Sequence, residues 1–179
     1  MTAAQSPSGE QPGSERPRMA TPPRIPTDYR RVTPCIVVRD VAGALAFYTD
    51  VFGARVRARY GVPDGPVVHA EIEIGDSVVI IEPEDPRMGT AAPPVAGLPG
   101  SPVFQFIYVT DVDAVVARAV ELGATLVRSP QDQFYGDRDG FVVDPFGHGW
   151  TVASHVEDVG PEELGRRMAS MFEPASEKV

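Results

Sequence analysis

Apolar and polar positions along this chain alternate with two different periods, and the switch between the periods occurs twice in the same order. In "VVRDVAGALAFYTDVFGARV", from Val37, a β-rich lead-in gives way at Asp40 to a stripe of Val41, Ala44, Leu45, Tyr48, Val51 and Phe52. That spacing puts them on one face of a helix. In "YVTDVDAVVARAVELGATLV", from Tyr108, the same lead-in reaches Asp111 and a stripe of Val112, Val115, Val116, Ala119 and Val120. Asp40 and Asp111 suit N-caps, because a carboxylate accepts from an orphan N–H of the first turn. Gly53 and Gly123 suit the left-handed position past each last turn. Strand-like runs follow each helix: "RVRARYGV", "VVHAEIEIG" and "SVVIIEP", then "TLVRSP", "GFVVDPFG" and "GWTVASHV". The prediction is an α+β fold of two tandem βαβββ modules, followed by a helix over "GPEELGRRMASMF" that aligns Leu164, Met168 and Met171.

The boundaries come from composition. Residues 1–27 are dense in Pro, Ser, Gly and charge and poor in large apolar groups, the pattern of a disordered tail. The domain is expected over 28–172, with module one at about 30–82, a Pro/Gly-rich linker or lid at 83–102, module two at about 103–156, a helix at 161–172 and a tail at 173–179. A net charge of −9 argues against a nucleic-acid surface. No apolar run is long enough to span a bilayer, and no apolar N-terminal stretch resembles a signal peptide, so the expected compartment is the cytoplasm, away from membranes. The single cysteine, Cys35, lies in the apolar run "TPCIVV" and is expected to pack as a small buried thiol.

Chemistry concentrates in a few places. His69, Glu71 and Glu73 alternate with apolar residues and share one face of a strand, which turns either to solvent or to a cavity; there a histidine beside a carboxylate could move a proton. Phe104, Phe106 and Tyr108 share a face of the first strand of module two, with Phe134 and Tyr135 nearby and Trp150 in the last strand. Rings in such a row either pack the sheet or wall a site for a flat ligand, with Tyr108 and Tyr135 able to orient a polar group. Trp150 alternates with Thr151, so it can instead pack beneath the helices. "GDRDG", Gly136 to Gly140, reads as a turn in which Asp137 and Asp139 pair with Arg138. No Ser-His-Asp or Cys-His arrangement, phosphate loop or dinucleotide fingerprint is present.

The early "RDVAGALAFYTDVFGA" and the late "YGDRDGFVVDPFGHGWTVASHVED" resemble the vicinal oxygen chelate superfamily of glyoxalase I, bleomycin-resistance proteins and extradiol dioxygenases, with the likeness falling nearest its PhnB-like branch. The resemblance covers roughly residues 30–172. It implies curved sheets that form a cup, and a homodimer. In metal-using members, ligands come from the first and last strand of each module, positions that fall here at Thr33, Ile80, Phe104 and Thr151. Two hydrocarbon groups and two alcohols grip a divalent ion poorly. The expectation is therefore a site without metal or other cofactor, binding a small, flat, aromatic or apolar metabolite or drug through Phe104, Phe106, Tyr108, Tyr135 and Trp150. The alternative is a glyoxalase-type lyase, isomerase or dioxygenase. It would use metal-free chemistry at His69 and Glu71, or Zn, Ni, Fe or Mn on a rearranged site at Glu82 and His155. His148, after "DPFG", is expected to frame a strand.

Overall fold

A computed structural model describes residues 23–63, 65–94 and 102–172. Module one runs β1 (Cys35–Val38), α1 (Val41–Phe52), β2 (Arg55–Gly61), β3 (Val67–Ile74) and β4 (Ser77–Pro83). Module two repeats the order with β5 (Phe104–Tyr108), α2 (Val112–Glu121), β6 (Thr125–Asp132), β7 (Asp137–Val143) and β8 (Gly149–His155), and α3 (Pro161–Phe172) follows. The sheets are ordered β1-β4-β3-β2 and β5-β8-β7-β6. In each, the first strand pairs parallel to the fourth and the remaining pairs are antiparallel. The tandem βαβββ architecture is thus observed. The expected tails fall largely on residues 1–22 and 173–179, outside the described residues, as do positions 95–101 of the linker.

The caps form as their chemistry requires. Asp40 accepts from the Gly43 N–H and Asp111 from the Ala114 N–H, at 2.9 and 3.0 Å. Gly53 closes α1 at φ 63°, a conformation open to glycine without a Cβ penalty. Helix α1 packs on its own sheet and against α2, and α2 packs on β6, β7 and β8. One face of each sheet is therefore helix-packed and the other helix-free. Ile36, Val38, Ala70, Ile72 and Ile81 fill the first helix-packed face, and Val142, Trp150 and Val152 the second, as parts of one continuous core. Phe47, outside the predicted stripe, is buried with it, whereas Val120, inside the predicted stripe of α2, is 40% exposed.

Asp144 joins the modules. Its carboxylate, 3% exposed, accepts four bonds: from the Tyr48 hydroxyl of α1 (2.6 Å), the Trp150 indole N–H (2.9 Å), and the backbone N–H groups of Phe146 and His148 (2.9 Å each). Trp150 lies against Phe52 and Tyr48 with ring centroids 4.6 and 5.4 Å apart. His148 is buried and its Nε2 lies 2.9 Å from the Val37 carbonyl of β1, so it frames β8 and also bridges the modules. The described part of the linker, 84–94, is held by Arg39, which donates to Ala92 O and Pro93 O, and rests on the turn at Gly147 (φ 93°), where a Cβ would meet Pro94 O at 2.9 Å.

Two local expectations are corrected. "GDRDG" is no turn: β7 begins at Asp137, and Asp137 and Asp139 are buried on the helix-free face at 4 and 1% exposure. Strand alternation turns Arg138 the other way, where it pairs with Asp113 of α2 and with Asp132. Cys35 is exposed rather than buried, because β1 is an edge strand and the alternation gives its inward positions to Ile36 and Val38.

Candidate functional site

The helix-free face of module two carries the predicted aromatic row. Parallel pairing of β5 with β8 sets Phe104 beside Gly149, Phe106 beside Thr151 and Tyr108 beside Ala153, so small neighbours leave the rings standing clear. Phe104, Phe106 and Tyr108 are 55, 48 and 62% exposed. Phe104 meets Phe141 edge-on at 5.8 Å across Gly149, where a Cβ would come within 2.7 Å of Phe141 Cζ. Phe106 and Tyr108 lie 5.3 Å apart.

Beneath the row the tyrosines are fixed by buried carboxylates. Tyr108 donates to Asp137 at 2.7 Å, and Asp137 also receives His155 Nδ1 at 2.8 Å. Asp139 accepts from Tyr135, from Arg128 and, at 3.0 Å, from Gln133. Desolvation, reinforced by the Asp139 bond, pushes the Tyr135 phenol up to about 12, and the Asp137 bond also raises that of Tyr108. Both hydroxyls remain protonated donors at neutral pH. Sequence reasoning missed Asp137 and Asp139 as a buried floor. The signal was available in the alternation of Asp137, Asp139 and Phe141, and the Asp-Gly pair masked it.

Strand β5 also walls the gap between the modules. A cleft of about 450 Å³ lies between Phe106 and Tyr108 on one side and Arg30, Ile74 and Val79 on the other. A second opening, of about 680 Å³, reaches from Tyr108 and His155 to Val51 and Phe52. These volumes suit a small organic molecule. Trp150 parts from the other predicted ligand residues. It pairs with Gln105 and Val142 on the helix-packed face, is 2% exposed, and offers the cleft no more than an edge.

The helix-free face of module one is polar. His69 lies 3.2 Å from both Glu71 and Glu82, joining Glu82 to the set, and the Tyr29 hydroxyl lies 2.7 Å from each Glu71 oxygen. The shared face of His69, Glu71 and Glu73 is as predicted, and Glu71 is 7% exposed. Burial pushes the Glu71 carboxyl up, but the bonds from Tyr29 and His69 and the charge of Arg57 outweigh it and leave it below its usual range. Tyr29 and Arg57 were not legible as site residues, since Tyr29 lies in a stretch without periodicity.

The four positions where the family's metal ligands would fall do not fit an ion. Phe104 and Ile80 offer no donor, the Thr33 hydroxyl donates to Arg30 O at 3.2 Å, and Thr151 is a buried lone alcohol. Glu82 and His155 do not form a substitute: Glu82 is engaged with His69, while His155 places one ring nitrogen on Asp137 and the other on Asp158 at 3.0 Å. Among the described residues no group of three or more His, Cys, Asp and Glu side chains is arranged to hold a metal. No helix there is long and apolar enough to cross a membrane.

Comparison with known proteins agrees with the tandem βαβββ fold. The model of the Glyoxalase/Bleomycin resistance protein/Dioxygenase superfamily matches residues 30–152. The uncharacterized protein Rv0887c of Mycobacterium tuberculosis is 40% identical over 141 residues, 78% of this chain and 82% of its own. A putative glyoxylase, CFP32 of the same species, is 30% identical over 151 residues, 78% of this chain and 53% of its own. Among solved structures, a gene product of Arabidopsis thaliana is 26% identical with a TM-score of 0.54, covering 70% of this chain and 98% of that one. TioX from Micromonospora sp. ML1, at 24% identity and a TM-score of 0.53 over 73% of this chain and 100% of that one, shares the fold.

Proposed function

The chain belongs to the glyoxalase/bleomycin resistance protein/dioxygenase superfamily, and from that premise we propose that it is a metal-independent binder of a small, flat, aromatic or apolar molecule, within the PhnB-like pattern of that superfamily. The observation that carries the reading is the row Phe104, Phe106 and Tyr108, whose rings stand about half exposed or more on one face. Two of the three rings are braced from the sheet: Phe141 meets Phe104 edge-on, and Asp137 holds Tyr108. A preorganised set of rings beside a cleft of about 450 Å³ favours stacking of a planar ligand, with about 0.5–1.5 kcal/mol per ring contact beyond area burial. With their protons committed to Asp137 and Asp139, Tyr108 and Tyr135 orient a polar group on it by accepting a hydrogen bond. The resemblance implies that two chains associate; that the work is done in the cytoplasm is a separate expectation, which the resemblance does not carry.

A thermal-shift screen with planar aromatic compounds tests the reading. A ligand at about 100 times its Kd adds about 2.7 kcal/mol of stability, and Phe106→Ala should abolish the shift while the unliganded protein melts normally. A shift left intact in Phe106→Ala places the ligand elsewhere. A second reading, metal-free acid/base chemistry, is favoured by one arrangement: His69 set between Glu71 and Glu82. Turnover of a bound compound that is lost in His69→Ala would establish it.

A further inference from the structure

The N-terminal segment places a tyrosine in a cradle built for a phenol. Residues 23–34 form no helix or strand, and most are exposed, yet Tyr29 turns into the helix-free face of module one. Its hydroxyl lies 2.7 Å from both oxygens of Glu71, and the Arg57 guanidinium sits 4.5 Å over its ring. Three groups hold that acceptor in place: Glu71 receives the tyrosine hydroxyl, has His69 at 3.2 Å, and has Arg57 Nε at 3.6 Å. Tyr60 lies tilted beside His69, with ring centroids 5.7 Å apart, and a polar hollow of about 460 Å³ opens beside Tyr29 toward Arg55 and Glu73.

The cradle and its occupant are anchored very differently. Glu71, His69 and Arg57 stand on paired strands of the sheet, and Glu71 is 7% exposed. The segment that carries Tyr29 is tethered further by Arg57, which donates to the Asp28 carbonyl at 2.9 Å and pairs with its carboxylate, by the Arg30–Asp76 ion pair, and at its far end by the Ile80 N–H bond to Pro34 O at 2.8 Å; the two aspartates are 62 and 77% exposed. Exposed pairs of this kind contribute little, and a segment with few buried contacts opens at low cost. Once it opens, Glu71 keeps His69 and Arg57 but loses its hydroxyl donor, and the Arg57 guanidinium loses its ring cover, a state that a phenolic ligand relieves by donating its hydroxyl and covering the cation with its ring.

We propose that the helix-free face of module one is a second binding site, specific for a phenolic ring, and that Tyr29 is its built-in occupant, displaced when a free phenol binds. The site is distinct from the Phe104–Tyr108 row, so either can fail without the other. Aliphatic alcohols lack the ring that Arg57 covers, and plain arenes lack the donor that Glu71 accepts. Because a tethered occupant competes at an effective concentration on the order of millimolar, a free phenol binds the intact chain weakly and the emptied site better.

The probe is p-cresol, the tyrosine side chain in free form, titrated by NMR into the full chain. Tyr29→Ala is expected to bind it at least about ten-fold more tightly than the unaltered chain, as removal of a tethered competitor requires. Toluene should show no such gain, and adding Glu71→Gln to Tyr29→Ala should erase it. Equal affinity of both chains for p-cresol, or equal gains for p-cresol and toluene, overturns the proposal. A second measurement needs no cavity variant: with 3-fluorotyrosine at position 29, the fluorine signal should move to its solvent position as p-cresol is raised. A signal that stays fixed through p-cresol saturation of the protein overturns displacement.

Discussion

Asp144→Ala is the sharpest perturbation of the join between the modules. Substitution removes one carboxylate and strands two side-chain donors, the Tyr48 hydroxyl and the Trp150 indole N–H, in surroundings 0 and 2% exposed. Each buried donor left unmade costs about 1–3 kcal/mol, and the turn over 144–148 also loses its acceptor for two backbone N–H groups. Relief of the buried charge offsets part of this, so a net loss of about 3–5 kcal/mol follows. Against a typical total of about 5–15 kcal/mol that is a large fraction. Urea unfolding at neutral pH measures it, and the melting temperature should fall by roughly 6–20 °C. A double-mutant cycle with Tyr48→Phe adds a test of sign. Alone, Tyr48→Phe costs about 1 kcal/mol; on Asp144→Ala it removes an orphaned hydroxyl and should be neutral or stabilising. A loss below about 1 kcal/mol for Asp144→Ala, or the same cost for Tyr48→Phe in both backgrounds, refutes the reasoning.

Two further outcomes follow from the site. Hydrogen bonds to Asp137 and then Asp158 raise the His155 pKa, so its NMR titration midpoint should lie above the ordinary value of about 6.5; the stabilisation it provides is complete below that ordinary value and is lost as pH rises through the raised one, and His155→Gln should remove this pH dependence of unfolding. Gly149→Ala drives a methyl between Phe104 and Phe141 and should cost about 1–3 kcal/mol in urea unfolding while weakening any ligand held by the aromatic row; an unchanged midpoint contradicts the packing described.

Much of the fold was legible because periodicity reports burial directly. Asp40, Asp111 and Gly53 behave as their local chemistry dictates, and the alternation in β3 already grouped His69, Glu71 and Glu73 on one face. Reading failed where a local signal competed with tertiary context. Asp-Gly in "GDRDG" is turn chemistry, yet β7 runs through it because Tyr108, Tyr135, His155 and Arg128 arrive from elsewhere to satisfy Asp137 and Asp139. Cys35 looked buried because it opens the apolar run "CIVV", but an edge strand buries one face only. Asp144 and Tyr29 carried no signal of their role, since each acts through residues distant in sequence: Tyr48 lies 96 positions from Asp144, and Glu71 lies 42 from Tyr29. The aromatic row was visible as a row. Only pairing with Gly149, Thr151 and Ala153 shows why its rings stand open, and why Trp150 does not join them.

The central claim is that this face holds a planar molecule without an ion. Isothermal titration of a planar aromatic ligand from the screen, into protein stripped of metal by a chelator, tests it most directly. The account predicts saturable binding with the same affinity before and after stripping, lost in Phe106→Ala. Binding that disappears on stripping and returns with added Zn, Ni, Fe or Mn would contradict it.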